Sequence, residues 1–84
     1  PAPMMIFFDS GGHEIRREWE PVLDEAAKAA AAGARLRVTG HSDRSGSAAG
    51  NRYTSLQRAQ TVADALVARG VARAALSVSG EGED

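Results

Sequence analysis

The 84-residue sequence predicts an α+β fold, a β-α-β-α-β two-layer sandwich with two helices on one face of a small mixed sheet. Three observations carry that expectation. A short apolar run, Met4-Met5-Ile6-Phe7-Phe8, and two alternating runs at 35–39 and 75–79 read as strands. Between them lie two stretches whose apolar residues recur at helical spacing. Glycine then closes each helical stretch, at Gly33 and at Gly70.

Taken in order, the first strand is a continuous apolar run and so reads as buried, with Phe7 and Phe8 in the core and Asp9-Ser10-Gly11-Gly12 as its turn. Ile15, Trp19, Val22, Leu23, Ala26, Ala27 and Ala30 then fall on one helical face. Pro21 sets where that helix begins. A proline in a helix interior costs ~3 kcal/mol, whereas in the first turn its missing N–H costs nothing. The helix is therefore expected to start at Trp19 or Glu20, with residues 13–18 as a lead-in. Trp19 reads as core.

Arg35-Leu36-Arg37-Val38-Thr39 follows as a half-buried strand with Leu36 and Val38 inward. The second helix is expected from about Asn51 to Arg69, its stripe formed by Ala59, Val62, Ala63, Leu66 and Val67. Ala75-Leu76-Ser77-Val78-Ser79 alternates again, with Leu76 and Val78 inward.

Composition bounds what this chain does. A net charge of −1 supplies no bulk field toward nucleic acid or an anionic membrane, and the few aromatic residues do not make a base-stacking platform. The absence of cysteine excludes disulfides and thiolate metal sites. No apolar run approaches the ~20 residues of a membrane span, and no stretch of these 84 residues reads as a signal peptide, so any targeting segment or anchor is expected outside them. One domain, 1–84, is expected, and its start at Pro1 without an initiator methionine points to a piece of a longer protein.

The chemistry concentrates between the second strand and the second helix, in Gly40-His41-Ser42-Asp43-Arg44-Ser45-Gly46-Ser47. Asp43 lies on this loop. At ~100° per residue, Asn51, Thr54 and Arg58 share one flank of the second helix, beside its apolar stripe, and face the loop. An acid and a guanidinium on one rim suit a ligand that carries both charges.

These residues also carry a family resemblance. Gly40-His41-Ser42-Asp43 with Gly46, then Asn51-x-x-Thr54-Ser55-x-x-Arg58-Ala59-x-x-Val62-x-x-x-Leu66, resembles the signature of OmpA-like peptidoglycan-binding domains, G-H-T-D-x-x-G and N-x-x-L-S-x-x-R-A-x-x-V-x-x-x-L. Phe7-Phe8-Asp9-Ser10 and Gly80-Glu81-Gly82-Glu83 extend it over nearly the whole chain. Ser42 for threonine is a conservative departure, and Thr54 for leucine is a larger one. Gly11 stands where some relatives carry a polar side chain.

The resemblance implies a periplasmic domain that holds peptidoglycan without chemistry, at the meso-diaminopimelate of the peptide stem, and so anchors an envelope protein to the wall. Asp43 would accept from the ligand's ammonium, and Arg58 would offer its fork to the carboxylate. Asn51, Ser10, Ser42 and Thr54 complete the expected ligand-binding set. No cofactor, no metal, no nucleic acid and no membrane insertion is implied. The resemblance also implies a further strand after the Gly-Glu segment, where this sequence stops; either the sequence is cut short, or a short variant leaves its sheet edge open or covered by a partner, and an unpaired edge would carry a capacity to self-associate.

Other readings compete. Asp43 is also a common turn residue, and Arg58 is also a solvated helix residue. Asp9, His13, His41 and Asp43 lack any metal-ligand spacing. The loop lacks the lysine of a phosphate loop. The nearest rival is a βα interaction module with a degenerate ligand site, and a small metal- or phosphate-binding domain follows it.

Overall fold

In a computed structural model the chain is described over residues 3–43 and 46–82. A 3-10 turn, Arg17–Trp19, leads into helix α1, Glu20–Ala31. Strand β1, Leu36–Gly40, leads to helix α2, Ala48–Ala68, and a second 3-10 turn, Arg73–Ala75, delivers strand β2, Leu76–Gly80. The strands pair in parallel, Leu36 beside Leu76, Val38 beside Val78 and Gly40 beside Gly80. Among the described residues no helix is long and apolar enough to cross a membrane.

The punctuation residues act as their chemistry requires. Pro21 sits in the first turn of α1. The far end of α1 closes with Gly33 N–H donating to Ala30 O (3.0 Å) and Ala34 N–H to Ala29 O (3.0 Å). The same paired closure ends α2, with Gly70 N–H on Val67 O (2.9 Å) and Val71 N–H on Leu66 O (3.1 Å). There it does more, because buried Val71 packs with buried Leu66 in the core. Helix α2 starts earlier than the expected Asn51. Ser47 caps it, its Oγ accepting from Gly50 N–H at 3.0 Å.

Both helices lie on the face that the strands turn inward. Leu36, Val38, Leu76 and Val78 meet Leu23, Ala26, Ala27 and Ala30 of α1 and Ala59, Val62 and Leu66 of α2 in one cluster. The opposite face carries exposed Arg37, Thr39 and Ser77. The expected two-layer α+β architecture is present, and among the described residues its sheet has two parallel strands where a mixed sheet of three was expected.

Residues 4–8 are the difference. They form no strand, and of the two aromatic residues expected in the core Phe7 is exposed and Phe8 half-buried. An apolar run becomes a strand only where it lines up with a neighbour's ladder, and while β1 and β2 pair with each other, residues 4–8 join neither of their remaining edges. Ile6 still packs against the core. Phe7 instead meets half-buried Trp19, ring centroids 5.6 Å apart.

The last residues of both strands, Gly40 and Gly80, lie directly under α2. A Cβ on Gly40 would collide with the Ser55 carbonyl oxygen, and one on Gly80 would stand 2.6 Å from Leu56 N. Helix backbone cannot retreat as a flexible side chain does, so this glycine pair sets how closely α2 approaches the strand ends. Gly40→Ala is therefore expected to destabilise the domain by at least the ~1–3 kcal/mol typical of overpacking. Urea unfolding followed by circular dichroism measures this, and an unchanged midpoint would show that the close approach is dispensable.

Candidate functional site

Arg58 is reached nearly three turns into α2 and lies on the side of the helix that faces the loop after β1. The helical phase places it on the flank of the apolar stripe, yet the residue is only 5% exposed. What covers it is main chain. Its Nε donates to Gly12 O (2.6 Å), Nη1 to His41 O (2.9 Å) and Nη2 to Asp9 O (3.1 Å). Nη1 also meets Asp43 Oδ1 at 3.4 Å, and the Phe8 ring lies 5.2 Å from the guanidinium carbon. One side chain thus joins the N-terminal segment, the β1 loop and α2.

The turn it grips is built by sequence. Asp9-Ser10-Gly11-Gly12 closes with Gly12 N–H on Asp9 O at 2.9 Å, and Gly11 takes φ +71° at the third position. That is a type II turn, where glycine supplies the positive φ without steric cost. The turn also aims Gly11 N–H outward at Asp43 Oδ2, 2.7 Å away, with Ser10 Oγ at 3.5 Å from the same oxygen.

The loop is braced from its other side. Ser42 N–H donates to Gly82 O at 2.6 Å, and Glu81 N–H to Gly40 O at 2.9 Å. Fully buried Ser55 accepts from Gly82 N–H at 2.9 Å while donating to Arg52 O at 2.9 Å. Asp43 is therefore fixed by neighbours on three sides, with 36% of its side chain left exposed.

Of the six residues expected to bind ligand, the structure joins Asp43, Arg58 and Ser10 by direct contacts. Ser42 is adjacent, but its hydroxyl turns to the Asp43 carbonyl at 3.1 Å. Asn51 is buried at 7% exposure behind the loop, and its Nδ2 has no partner among the described residues. Thr54 is half-buried on α2 and makes no side-chain bond to the others. The sequence reading missed the main-chain groups, Gly11 N–H and the carbonyls of Asp9, Gly12 and His41. The Gly-Gly pair after Asp9-Ser10 was the available signal, since it marks a turn whose backbone can come close to other groups.

The electrostatics follow from this wiring. The Asp43 carboxyl is held below its ordinary value of 3.8, first by the Gly11 N–H and then by the charge and hydrogen bond of Arg58 and by Ser10, against the opposing effect of burial. It stays ionised through the neutral range and presents a carboxylate to solvent. Among the described residues no three His, Asp or Glu side chains converge as a metal site would require. The arrangement can hold a cationic group at Asp43, beside a fixed positive charge that draws an anionic one.

A small α+β scaffold presents here one fixed, ionised carboxylate beside a buried guanidinium, an arrangement suited to a binding module. The chain belongs to the OmpA family, whose model matches residues 7–84. No curated protein matches it in sequence. Several solved structures do share the fold. The peptidoglycan-associated lipoprotein from Burkholderia pseudomallei superposes with a TM-score of 0.86 at 21% identity, over 93% of this chain and 68% of that one. An outer membrane protein from Borrelia burgdorferi B31 gives 0.81 at 20% identity, over 94% and 73%. The cell wall anchor of the T6SS from Pseudomonas aeruginosa gives 0.73 at 32% identity, over 90% of this chain and 57% of that chain.

The depressed Asp43 pKa makes a stability prediction with a definite sign. A carboxyl that is more acidic folded than unfolded contributes stability that is complete above the unfolded value, near 3.8. That contribution is lost as pH falls through the lower, folded value. The stability advantage of the parent over Asp43→Asn should therefore be constant at neutral pH and shrink below about pH 4. Paired denaturant titrations across that range check it, and a difference that does not change on acidification would separate Asp43 from the turn.

Proposed function

We propose that this domain binds cell-wall peptidoglycan non-covalently, at the meso-diaminopimelate of the peptide stem, and so holds an envelope protein to the wall from the periplasmic side. The observation that carries the reading is Asp43, ionised, braced and one-third exposed beside the buried Arg58. Family membership supports it, as do the fold relatives described as a peptidoglycan-associated lipoprotein and a cell wall anchor.

The side chain of diaminopimelate ends in an ammonium and a carboxylate on one carbon. Asp43 is the acceptor for the ammonium, and Ser10, already within 3.5 Å of that carboxylate, lines the same wall. The distal carboxylate then falls toward the positive side of the rim. Arg58 supplies charge there, but most of its donors are already given to carbonyls, so its fork acts through whatever hydrogen the turn leaves it. The N-terminus of α2 adds its partial positive charge. Asn51 Nδ2, buried and without a partner among the described residues, lies behind the loop, and Ser42 and Thr54 complete the proposed contact set.

This scheme separates two parts for testing. Asp43→Asn keeps an acceptor for Gly11 N–H and removes the charge. A charge-assisted bond contributes ~1.5–3 kcal/mol, so the variant should fold and lose roughly tenfold to a hundredfold in affinity for a diaminopimelate stem peptide by calorimetry. Binding equal to the parent would remove Asp43 from the site. A lysine-type stem keeps the ammonium and lacks the carboxylate, so the parent should bind it more weakly. Equal affinity for the two stems would leave peptidoglycan binding standing and remove diaminopimelate as what is read.

A further inference from the structure

Ser55 goes against local propensity inside α2. It is fully buried, and the two positions that follow on the same face, Ala59 and Ala63, are buried alanines. Alanine is the better helix former, and a serine within a helix turns its hydroxyl back on the preceding turn, as Ser55 does on Arg52 O at 2.9 Å. Departures of this kind collect at functional positions. Ser55 lies outside the expected ligand-binding set, and a side chain with no exposed surface touches no ligand.

The hydroxyl offers an acceptor to a different segment. Gly82 N–H, from a buried residue, donates to Ser55 Oγ at 2.9 Å. The chain can run this close because Gly80 has no side chain; a Cβ there would stand 2.7 Å from Oγ. Gly82 takes φ +67°, in the left-handed region that glycine enters freely. In that conformation its N–H meets Ser55 while its carbonyl accepts from Ser42 N–H at 2.6 Å. Ser42 directly precedes Asp43. Two hydrogen bonds through one glycine therefore connect the interior of α2 to the residue that carries the carboxylate.

We infer that Ser55 is a positioning residue for the ligand site, acting through Gly82 on the Ser42–Asp43 backbone. The role rests on the ligand reading proposed above. Ser55 holds Gly82 and Gly82 holds Ser42, which fixes the Asp43 carboxylate at its 2.7 Å bond to Gly11 N–H. Without Oγ the buried Gly82 N–H loses this acceptor. A buried donor left unpaired is costly, so the segment turns toward water and draws its carbonyl away from Ser42.

Ser55→Ala should lower affinity for a diaminopimelate stem peptide by roughly twofold to tenfold, the scale of one neutral hydrogen bond. The Asp43 carboxyl, followed by carbon NMR, should titrate closer to its ordinary 3.8, because Gly11 N–H is the main group that holds it lower. Val71→Ala, in the core beyond the far end of α2, is the control for lost stability alone. It should lower the urea midpoint and leave affinity and the Asp43 titration as in the parent. In the parent itself, saturation with the peptide should slow amide exchange at Gly82 and Ser42 together. Parental affinity with an unmoved Asp43 titration in Ser55→Ala would overturn the inference. So would the same changes in Val71→Ala, or exchange at Gly82 indifferent to a ligand that slows Gly11. A parent that binds no stem peptide would remove the ligand reading instead, and the Asp43 titration would then decide the role of Ser55 by itself.

Discussion

A guanidinium removed from water is expensive unless its donors find acceptors, and Arg58 solves that problem with backbone. Carbonyls of Asp9, Gly12 and His41 surround it, from segments 49, 46 and 17 residues away in sequence. Everything distinctive about the rim depends on that solution. The Asp9–Gly12 turn is fixed because two of its carbonyls serve Arg58. Gly11 N–H then points at Asp43, and Asp43 is ionised and still because of it. Breaking a buried charge away from its partners typically costs ~3–5 kcal/mol, so this constellation is part of the fold as well as of the site.

The same dependence explains the rest of the rim. The loop after β1 is short of regular structure, yet it is held from behind by Ser42 N–H on Gly82 O and by Ser55 on Gly82 N–H. Gly40 and Gly80 allow α2 to sit close enough for Ser55 to reach, and Ser47 opens α2 beside the loop. A carboxylate supported in this way loses little freedom when a ligand arrives, which is how preorganised sites gain affinity.

The sequence made the helices legible because their ends are written in residue types with one dominant use. Pro21 could only stand in a first turn, and Gly33 and Gly70 mark closures that the hydrogen bonds display. The start of α2 was misplaced by three residues because Ser47 caps without an acidic residue in the first turn to strengthen the signal. The strands at 36–40 and 76–80 were legible from alternation, while the run at 4–8 was read as a strand for its apolar content alone. Content does not reveal whether a run lines up with a neighbour's ladder. At the site, the helical phase brought Asp43 and Arg58 together on paper as it does in the fold. What the phase did not convey is that Arg58 is buried, because its cover is backbone carbonyl, and a carbonyl leaves no trace in residue identity. Asn51 was placed on the right flank, but its unpartnered amide became visible only with coordinates.

The central claim is that ligand is read at the carboxylate that Arg58 and Gly11 hold in place. Backbone amide NMR during titration with a diaminopimelate stem peptide tests it most directly, because Gly11 N–H bonds the very group the ligand's ammonium is to share. The account predicts that Gly11, Ser42 and Asp43 show the largest and saturable shifts, while the amides of α1 stay still. Saturable shifts centred elsewhere, with Gly11 and Asp43 unmoved, would contradict it.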